Sequence, residues 1–263
     1  MSRTILLNYA DRNFRTAQRL NTRSGVETGG FDRVISLGPS DLPREFRRQH
    51  QNILKRARGG GYFLWKPYII SRALAQLSPG DWLFYCDSGA YFIDAIHPLK
   101  DAYASGLPVM IFELEHTEKT WTKRDVFIAT DTDVPAVTDT VQRSATASLW
   151  RVGAPAVQLA SEWLSFAVQE SLLCDGPNLL GYPDYPGFIE HRYDQSLLSV
   201  LTKRLGLPAL RDISQYGNPA LDLRHDSPYP QLIVSTRQRD RPWGRRLKRS
   251  LRAYILRRQP VNG

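Results

Sequence analysis

Short apolar runs alternate with amphipathic segments along most of this chain. Continuous apolar runs predict strands at Thr4–Ala10, Arg33–Leu37 and Trp82–Cys86, and shorter runs predict strands at Val109–Leu114 and Ser148–Val152. An uninterrupted run such as WLFYC is typical of a central parallel strand that is buried on both faces. These runs therefore predict a sheet whose strands are mostly parallel.

Helical periodicity fills the intervals between the predicted strands. The expected helices are Asn13–Asn21, a segment after Ser40 with apolar positions Leu42, Phe46, Ile53 and Leu54, a segment that starts near Pro67, Ala154–Leu173 and Arg192–Leu205. Ser40 is expected to cap the second helix, and Pro67 suits the first turn of the third. This order predicts an α/β fold, a three-layer α/β/α sandwich with a mostly parallel, Rossmann-like sheet.

The composition suits one folded domain with or without a tail. Of 263 residues 42% are hydrophobic, which is enough for one α/β core. No segment reaches the roughly 18 to 20 apolar residues of a membrane span, and the first residues, MSRTILLNYAD, predict a strand instead of a secretion signal. Cys86 and Cys174 lie far apart in apolar settings, which favours buried free thiols and a cytoplasmic location over a disulfide.

The excess positive charge is confined to the C-terminal end. Residues Arg237 to Arg258 contain ten Lys or Arg and one acid, Asp240, a net charge of +9. The whole chain has 35 Lys or Arg and 26 Asp or Glu, so the rest of it holds 25 of each and is neutral. A nucleic-acid-binding domain would carry basic residues across its folded surface, which argues against a nucleic-acid partner.

The basic segment also has an apolar stripe. Trp243, Leu247, Leu251, Tyr254 and Ile255 recur at helical spacing, with basic residues between them. An amphipathic helix of this kind can lie in the headgroup region of an anionic membrane. It could instead pack on the domain or bind RNA or DNA, although no aromatic platform accompanies the basic run. We expect a folded domain at residues 1–236 and a basic tail at 237–263, whose 237–258 part contacts an anionic membrane surface.

A carboxylate follows the predicted central strand. Asp87 ends the run WLFYCD, and Ser88 and Gly89 come next. At the carboxyl end of a strand, where open α/β sheets bind ligands, Asp87 can hold a divalent cation or sugar hydroxyls. A capping or turn aspartate is the alternative.

Two basic groups precede that strand. Lys66, in the turn WKP, carries a point charge that suits a diphosphate, although a lone lysine is commonly solvated. The glycine run Gly59–Gly61 beside Arg58 could approach a phosphate. It fits no Walker or dinucleotide fingerprint, however, and is also typical of a flexible turn.

A second polar cluster lies at a predicted loop-to-helix junction. It comprises Glu190, His191, Arg192, Asp194 and Gln195. Five polar groups in six positions exceed what one helix cap needs, although Asp194 could serve as a plain cap. Asp and Gln side chains together can hold sugar hydroxyls, and His191 could ligate a metal or contact a phosphate.

A third segment, WTKRDVF, sets Lys123, Arg124 and Asp125 between aromatic residues. These charges could contact a ligand or only form the edge of a strand or helix. The nearby acids between Glu113 and Glu118 could supply a base or could be solvated loop charges. The chain lacks a Gly-X-Ser-X-Gly elbow, a recognised Cys-His pair and zinc-ligand spacing, which argues against serine, cysteine and zinc hydrolases.

Taken in order, four segments resemble a known enzyme group. GGGYFLWKPYII, GDWLFYCDSG, WTKRD and GFIEHRYDQSLLS resemble GT-A-type glycosyltransferases of bacterial and viral surface-polysaccharide and lipopolysaccharide gene clusters. The resemblance extends over about Ile5 to Leu205, and the Asp-Gln pair is similar to that of family 8 and family 34 retaining transferases. It implies a GT-A-like, nucleotide-sugar-binding catalytic domain at residues 1–236. This domain would move a sugar from a nucleotide-sugar donor to a hydroxyl of a glycan or lipid-linked glycan.

The resemblance also implies roles for individual residues. Asp194, Gln195 and Glu190 would be catalytic, near the transferred sugar or the acceptor. Residues of the first strand, Arg58 beside the glycine run, and residues of all four motifs would bind the donor: Asn8, Tyr9, Ala10, Arg58, Lys66, Asp87, Ser88, Gly89, Lys123, Arg124, Asp125, His191 and Arg192. Within this set Asp87 would take the place of the first carboxylate of the Asp-X-Asp motif, and Lys66 would lie near the phosphates.

One position departs from the pattern of that group. Gly89 stands where the second Asp of Asp-X-Asp would be, which weakens the implied Mn²⁺ or Mg²⁺ site. Asp87 and His191, or His225, would be the remaining ligands, and a metal-independent enzyme is the alternative. The same departure leaves open a non-catalytic domain that binds a nucleotide or glycan.

The resemblance gives the basic tail a role. Enzymes that build surface glycans often use lipid-linked acceptors, so the tail would hold a cytoplasmic enzyme at the inner face of the membrane. A basic-tailed membrane adaptor with an inert α/β body is a further alternative. Inverting and retaining transfer both stay open, because an inverting route needs a carboxylate base and a retaining route does not. Asp194, Glu190 and Glu113 are eligible as that base.

Overall fold

The structure is a computed structural model that describes residues 2–103, 106–214 and 228–236. The predicted basic tail at residues 237–263 and His225 lie outside the described residues. Within the described part of the chain, no helix combines the length and the apolar character needed to cross a bilayer.

Most strands of the described residues belong to one sheet. The strands are β1 (Thr4–Tyr9), β2 (Arg33–Leu37), β3 (Trp82–Cys86), β4 (Ala90–Phe92), β5 (Val109–Thr117), β6 (Val141–Arg151), β7 (Ala209–Leu210) and β8 (Ile233–Ser235). Six of them form a sheet in the order β2-β1-β3-β6-β5-β7, and β4 pairs with β8 in a small second sheet.

The large sheet is mostly parallel, as predicted. β1 pairs in parallel with β2 and β3, and β5 pairs in parallel with β7. β6 is antiparallel to both of its neighbours, β3 and β5. Five of the six strands therefore run in one direction, which confirms the predicted sheet.

Helices pack around this sheet. Those described are α1 (Arg15–Ser24), α2 (Arg44–Gln49), α3 (Gln51–Leu54), α4 (Gly59–Tyr62), α5 (Trp65–Gln76), α6 (His97–Asp101), α7 (Glu118–Trp121), α8 (Arg124–Ala129), α9 (Pro135–Thr138), α10 (Ala154–Ala167), α11 (Glu170–Leu173) and α12 (Asp194–Arg204). A π-helical turn, Gly25–Gly29, follows α1, and a 3-10 turn, Pro39–Asp41, precedes α2.

The sheet separates two hydrophobic layers. Leu83 and Tyr85 of β3 join the layer formed with α5, α10 and α12, whereas Phe84 and Cys86 join the layer formed with α6 and the β4–β8 sheet. Neighbouring residues of a strand point to opposite faces, so a strand covered on both sides must be apolar throughout. All four side chains are fully buried, and the predicted three-layer sandwich is confirmed.

Two predicted helices are interrupted in the structure. The helix expected after Ser40 consists of α2 and α3, which are separated at His50 (φ −110°, ψ 27°). Residue Pro43 precedes α2, so the cap predicted at Ser40 was wrong. The helix expected at Ala154–Leu173 stops at Ala167 and resumes as α11.

Strand β6 begins at Val141, well before the predicted start at Ser148, and its antiparallel direction was not predicted. Polar residues in its first half hid the strand pattern. Gln142 is nevertheless fully buried. Its amide donates a 3.3 Å hydrogen bond to Ser196 Oγ of α12, which offsets the cost of removing the amide from water. A polar side chain that is satisfied in this way can occupy a core strand without an apolar signature.

Candidate active site

Three charged side chains from separate segments meet at one edge of the sheet. The Lys66 ammonium lies 3.2 Å from Asp87 Oδ1 and 3.0 Å from Asp194 Oδ2. It also donates a 3.0 Å hydrogen bond to the Ala145 carbonyl. The side chains of Lys66 and Asp194 are each 4% exposed, whereas that of Asp87 is 32% exposed. This cluster is thus buried on one side and open to solvent at Asp87.

The topology of the sheet explains why these residues meet. β1 lies between β2 and β3, so the order of the strands reverses there and a crevice forms beside the carboxyl ends of β1 and β3. Asp87 directly follows β3, Lys66 lies in the first turn of α5, and Asp194 is the first residue of α12. Asp194 therefore lies at the positive end of the α12 dipole, which stabilises its carboxylate.

Burial and pairing set the protonation of the cluster. Burial raises the pKa of Asp194 from 3.8 to about 6, against the opposing effect of Lys66. Burial also disfavours the charged form of Lys66, but Asp194 and Asp87 outweigh this effect and raise the pKa of Lys66 above 10.5. Within the described residues, Asp194 Oδ2 has no aligned hydrogen-bond donor, so Lys66 balances it mainly through charge. At neutral pH the cluster carries one positive and two negative charges.

Asp87 turns one oxygen toward the protein and leaves the other open. Its Oδ1 accepts a 2.6 Å hydrogen bond from the Tyr85 hydroxyl. Burial raises the pKa of Tyr85 well above 10, so this hydroxyl stays protonated and remains a donor. No hydrogen bond from a described residue reaches Asp87 Oδ2. This second oxygen is the available acceptor of the site.

Aromatic rings line the same edge of the sheet. Tyr9, the last residue of β1, stacks on Trp65 with the ring centroids 3.9 Å apart and an interplanar angle of 14°. The Lys66 ammonium lies 5.3 Å from the ring centroids of Phe63 and Tyr85. Such cation–π contacts stabilise a buried ammonium. Aromatic surface with a few fixed polar groups is the usual lining of a small-molecule site.

A left-handed backbone turn positions these aromatic residues. Residues 59–63 all have positive φ, between 52° and 99°. Glycine adopts this conformation without strain, but Tyr62 and Phe63 each cost about 1–2 kcal/mol there. A Cβ at Gly61 would lie 2.6 Å from Leu54 Cα, so no larger residue fits without a shift. Positive φ and close packing therefore both require glycine at Gly61.

Another strained residue, Tyr193, directly precedes α12. Its φ of 56° and ψ of −124° lie in a region that residues with a Cβ rarely adopt. Its ring packs on Tyr62 and Phe63. The Arg58 guanidinium lies 5.3 Å from the centroid of the same ring and forms an ion pair with Glu190. Arg58 and Glu190 thus form the partly exposed rim of the site.

The structure does not bring every predicted residue to the site. Asn8 is fully buried and joins β1 to α1: its amide donates to Asn21 Oδ1 (2.8 Å), and its carbonyl accepts from the Gln18 amide (3.0 Å). This side chain does not line a nucleotide pocket, and the expectation for Asn8 is corrected. Ala10 is also buried, and its N–H donates to the Leu37 carbonyl of β2 (3.0 Å).

Ser88 and Gly89 connect neighbouring segments. The Ser88 hydroxyl donates a 2.7 Å hydrogen bond to the Tyr9 carbonyl, which ties the ends of β1 and β3 together. The Gly89 carbonyl accepts from the N–H and the hydroxyl of Thr236, at 2.9 and 2.8 Å. Both residues therefore help to build the site without presenting a side chain to a ligand.

Lys123, Arg124 and Asp125 anchor the loop between α11 and α12. The Lys123 ammonium is buried and donates a 2.7 Å hydrogen bond to the Ser171 carbonyl. Arg124 pairs with Asp133 at 3.2 Å, and the Asp125 carboxylate accepts two backbone N–H groups of the loop. These groups are all engaged within the protein, which gives them a structural role, and their donor-binding role stays a prediction.

His191 is placed as a structural group. Its Nε2 is 2.9 Å from the Leu172 carbonyl, and its Nδ1 accepts a 3.4 Å hydrogen bond from Lys123 N–H. Burial lowers the pKa of His191 to about 3, so the ring stays neutral. Because both ring nitrogens are engaged, His191 does not fit the predicted role of a metal ligand.

The side chains of Arg192 and Gln195 are also engaged by other groups of the protein. The Arg192 guanidinium lies 4.0 Å from the centroid of the Trp121 ring. The Gln195 side chain binds β6, because its Oε1 accepts from Ala145 N–H (3.3 Å) and its amide donates to Gln142 Oε1 (2.7 Å). Gln195 therefore fixes the start of α12 against β6, the strand whose Ala145 carbonyl accepts the hydrogen bond from Lys66.

The described residues do not fit the implied divalent cation. Among them, no group of three or more His, Cys, Asp or Glu side chains could hold a metal ion. Lys66 already fills the position between Asp87 and Asp194. Mn²⁺ and Mg²⁺ need several oxygen ligands, and an ammonium at contact distance from those oxygens competes with the metal.

Sequence analysis named Tyr9 among the aromatic residues of the site but missed Phe63, Tyr85 and Tyr193. Tyr85 lies inside an apolar strand, where its hydroxyl gives no separate signal. Phe63 and Tyr193 depend on backbone with positive φ, which L residues other than Asn and Asp rarely signal in a sequence. The turn that contains Trp65 and Lys66 was the one available clue, and the structure places it beside Asp87.

Comparisons with known proteins give structural likenesses only. No family model and no curated protein matches the chain. The crystal structure of mouse xyloside xylosyltransferase 1, apo form, is similar with a TM-score of 0.49 and 12% identity, over 88% of this chain and 97% of that chain. The apo structure of the bifunctional glycosyltransferase WbbM is similar with a TM-score of 0.44 and 10% identity, over 76% of this chain and 37% of that chain.

Proposed function

We propose that this protein is a glycosyltransferase, which moves a sugar from a nucleotide-sugar donor to a hydroxyl of a glycan or lipid-linked glycan. One observation carries the proposal: the ammonium of Lys66, in the WKP segment, lies 3.2 Å from Asp87 of the YCDSG segment and 3.0 Å from Asp194 of the HRYDQS segment, at the switch point of the sheet. A buried charged cluster costs stability, and perturbed carboxylates in a crevice are typical of functional sites. Residues 1–236 would form the catalytic domain.

The open oxygen of Asp87 suits a hydroxyl of the transferred sugar. An ionised carboxylate forms stronger hydrogen bonds than a neutral acceptor. The stacked pair Tyr9 and Trp65 supplies aromatic surface beside it. In this assignment Lys66 and Asp194 are positioning residues, because they are buried and act by holding Asp87 in place.

The charge of the cluster favours a separate place for the diphosphate. One ammonium and two carboxylates leave a negative charge that repels an anionic leaving group. Arg58 at the rim is 53% exposed and forms an ion pair with Glu190. Its planar guanidinium suits phosphate oxygens. We assign leaving-group stabilisation to Arg58, which would exchange Glu190 for the diphosphate when the donor binds.

Glu190 is then the carboxylate available to an acceptor. Its side chain is 32% exposed, and binding of the donor by Arg58 would leave its Oε1 with only the hydrogen bond from the Tyr193 hydroxyl (3.3 Å). A freed carboxylate near the acceptor hydroxyl could take its proton in an inverting reaction. In a retaining reaction Glu190 would have no such task, so its replacement separates the two routes.

Turnover of nucleotide sugars tests the proposal. A panel of nucleoside diphosphates and their sugars would be screened by thermal shift, because a bound ligand raises the unfolding temperature. Donors that bind would be assayed for transfer and for hydrolysis. Asp87→Asn is expected to lower turnover about 10- to 100-fold, the value of one charge-assisted hydrogen bond. Asp101→Asn is the matched control, since Lys100 of α6 contacts Thr4 at the amino end of β1, whereas the site lies at the carboxyl end.

Two outcomes would contradict the proposed transferase activity. A donor that binds without turnover would support a non-catalytic nucleotide- or glycan-binding domain. No binding by any member of the panel would favour the adaptor alternative. Equal turnover by Asp87→Asn and the wild-type protein would overturn the site assignment even if the activity is real.

We further propose that residues 237–258 hold the enzyme on an anionic membrane surface, at the cytoplasmic inner face. The net charge of +9 in this segment supports this placement. Deletion of residues 237–263 is expected to release the protein from anionic vesicles and to leave donor hydrolysis intact. Unchanged vesicle binding by the shortened protein would contradict the placement.

A further inference from the structure

The loop between α11 and α12 exposes an unusual amount of apolar surface. Ten large apolar side chains are exposed in the described residues, and four of them lie in this one loop. They are Leu179 (68% exposed), Leu180 (44%), Tyr182 (55%) and Ile189 (65%). We call these four residues the apolar patch. Single exposed apolar residues need no explanation, but a cluster of them marks an interaction site.

Buried charges hold the loop in this conformation. The Asp125 carboxylate is fully buried and accepts the N–H groups of Leu179 (2.5 Å) and Leu180 (3.1 Å). The buried Lys123 ammonium donates to the Pro177 carbonyl at 3.3 Å. Burying two charged groups is costly unless each is satisfied. Here the backbone of the loop satisfies Asp125, and carbonyls of α11 and of the loop satisfy Lys123. The apolar patch is therefore presented by a rigid base.

The second half of the loop is fixed as well. Asp184 Oδ1 accepts a 2.8 Å hydrogen bond from Arg124 N–H, the Tyr185 hydroxyl donates to Asp133 Oδ1 (2.7 Å), and Ile189 N–H donates to the Thr120 carbonyl (2.8 Å). Ordering this much backbone has a cost in conformational entropy, and leaving the apolar side chains in water has a second cost. A partner that covers the side chains would remove the second cost.

The charge pattern indicates which partner this is. Residues 176–189 contain no Lys, Arg or Glu, and their one acid, Asp184, binds inward to the protein. A segment of Leu, Tyr and Ile without outward ionic groups suits the boundary between lipid headgroups and acyl chains. Stable peripheral binding takes two weak signals, one apolar and one electrostatic. Residues 237–258, with their charge of +9, supply the second.

We propose that the apolar patch docks on the interfacial region of a lipid bilayer. The loop runs directly into Glu190 and the first residue of α12, so docking would place the candidate site beside lipid-linked molecules. That consequence rests on the proposed transfer function. The docking itself does not, and its test contains no donor, so a failed transfer assay and a failed docking assay are distinguishable.

Vesicle flotation of the full chain tests the docking. Phosphatidylcholine vesicles with about 20% anionic lipid, in about 0.1 M salt, retain both signals, so a loss caused by serine substitutions in the apolar patch reports the apolar signal. The double variant Leu179→Ser, Leu180→Ser is expected to lower the partition coefficient at least about tenfold. The matched control is Leu20→Ser, Val26→Ser, whose side chains are 47% and 62% exposed far from the loop in sequence. This control should bind as the wild-type protein does.

A label locates the contact. The native cysteines are both buried, so a polarity-sensitive dye would react selectively with Leu180→Cys, or with Leu20→Cys as control. Added vesicles should shift the emission of the first label to shorter wavelength and leave the second unchanged. No binding by the wild-type protein, or a loss under twofold in the double variant, would overturn the proposal. An emission shift that needs no vesicles and grows with protein concentration would assign the patch to a second copy and overturn it equally.

Discussion

Replacing Lys66 with methionine isolates the role of the buried ammonium. Methionine fills similar space, but it leaves Asp194, 4% exposed, and Asp87 without their shared cation. Removing one partner of a buried ion pair costs about 3–5 kcal/mol, because a buried charge remains uncompensated. We expect the free energy of unfolding to fall by this amount at about pH 8.

The loss should depend on pH, because Asp194 can be protonated. Its pKa is already raised by burial from 3.8 to about 6, and the opposing effect of Lys66 is absent in the variant, so its pKa rises further. An acid whose pKa is raised on folding contributes stability that is present below its unfolded pKa and is lost as the pH rises through its folded pKa. The variant should therefore approach the wild-type protein at about pH 5. A loss of about 1 kcal/mol should remain there, since the Ala145 carbonyl loses its donor.

Urea unfolding followed by tryptophan fluorescence between about pH 5 and pH 8 measures both effects. Lys55→Met, at an exposed position after α3, is the matched control and should change the free energy of unfolding by less than about 0.5 kcal/mol. The double variant Lys66→Met, Asp194→Asn should be more stable than Lys66→Met at high pH, since one uncompensated carboxylate is gone. An equal loss at both ends of the pH range, or a double variant no more stable than the single one, would refute the reasoning.

Three further predictions concern the site and its support. Gly61→Ala should lower the free energy of unfolding by at least about 2 kcal/mol because its Cβ meets backbone at 2.6 Å, whereas Gly106→Ala, also at positive φ but with open space, should cost only about 1 kcal/mol in the same urea assay. Asp194→Asn should remove the acid limb near pH 6 from the pH profile of turnover; a limb that persists would belong to another group. Asp125→Asn should speed chymotrypsin cleavage within residues 179–189 several-fold, and Asp139→Asn, which alters only a surface ion pair, should not; equal rates would contradict the anchoring role.

The parts of the fold that were predicted are those where burial dictates composition. β2 and β3 occupy the predicted residues, Arg33–Leu37 and Trp82–Cys86. β3 is covered on both faces, and only an uninterrupted apolar run can be buried in that way. β6 is also buried but is not an uninterrupted apolar run, because it contains Gln142 and Ser148. Both are buried and hydrogen-bonded. Its burial depends on partners from distant segments, which no local pattern contains.

The candidate site was predicted as far as its charged residues and Tyr9. Lys66 and Asp194 were named from the positions of a turn and a helix start, but their contact is a tertiary fact. Lys123 and Asp125 have the same residue types in an equally dense cluster, yet they anchor a loop. Residue type and spacing do not distinguish the two uses. The distinction lies in whether an oxygen or ammonium is left over after the protein's own groups are satisfied, as Asp87 Oδ2 is.

Backbone strain links the rim of the site to its buried cluster. Four described residues other than glycine have positive φ, and three of them, Tyr62, Phe63 and Tyr193, pack on one another beside Lys66. At about 1–2 kcal/mol each, their strain is a sizeable share of the 5–15 kcal/mol that stabilises a typical domain. Strain of this kind persists only where surrounding contacts hold it, and Arg58 over the Tyr193 ring is one such contact. A diphosphate that draws Arg58 away would loosen Tyr193, and the next residue along the chain is Asp194. We therefore expect donor binding at Arg58 to alter the position of Asp194, because Asp194 directly follows Tyr193 in the chain.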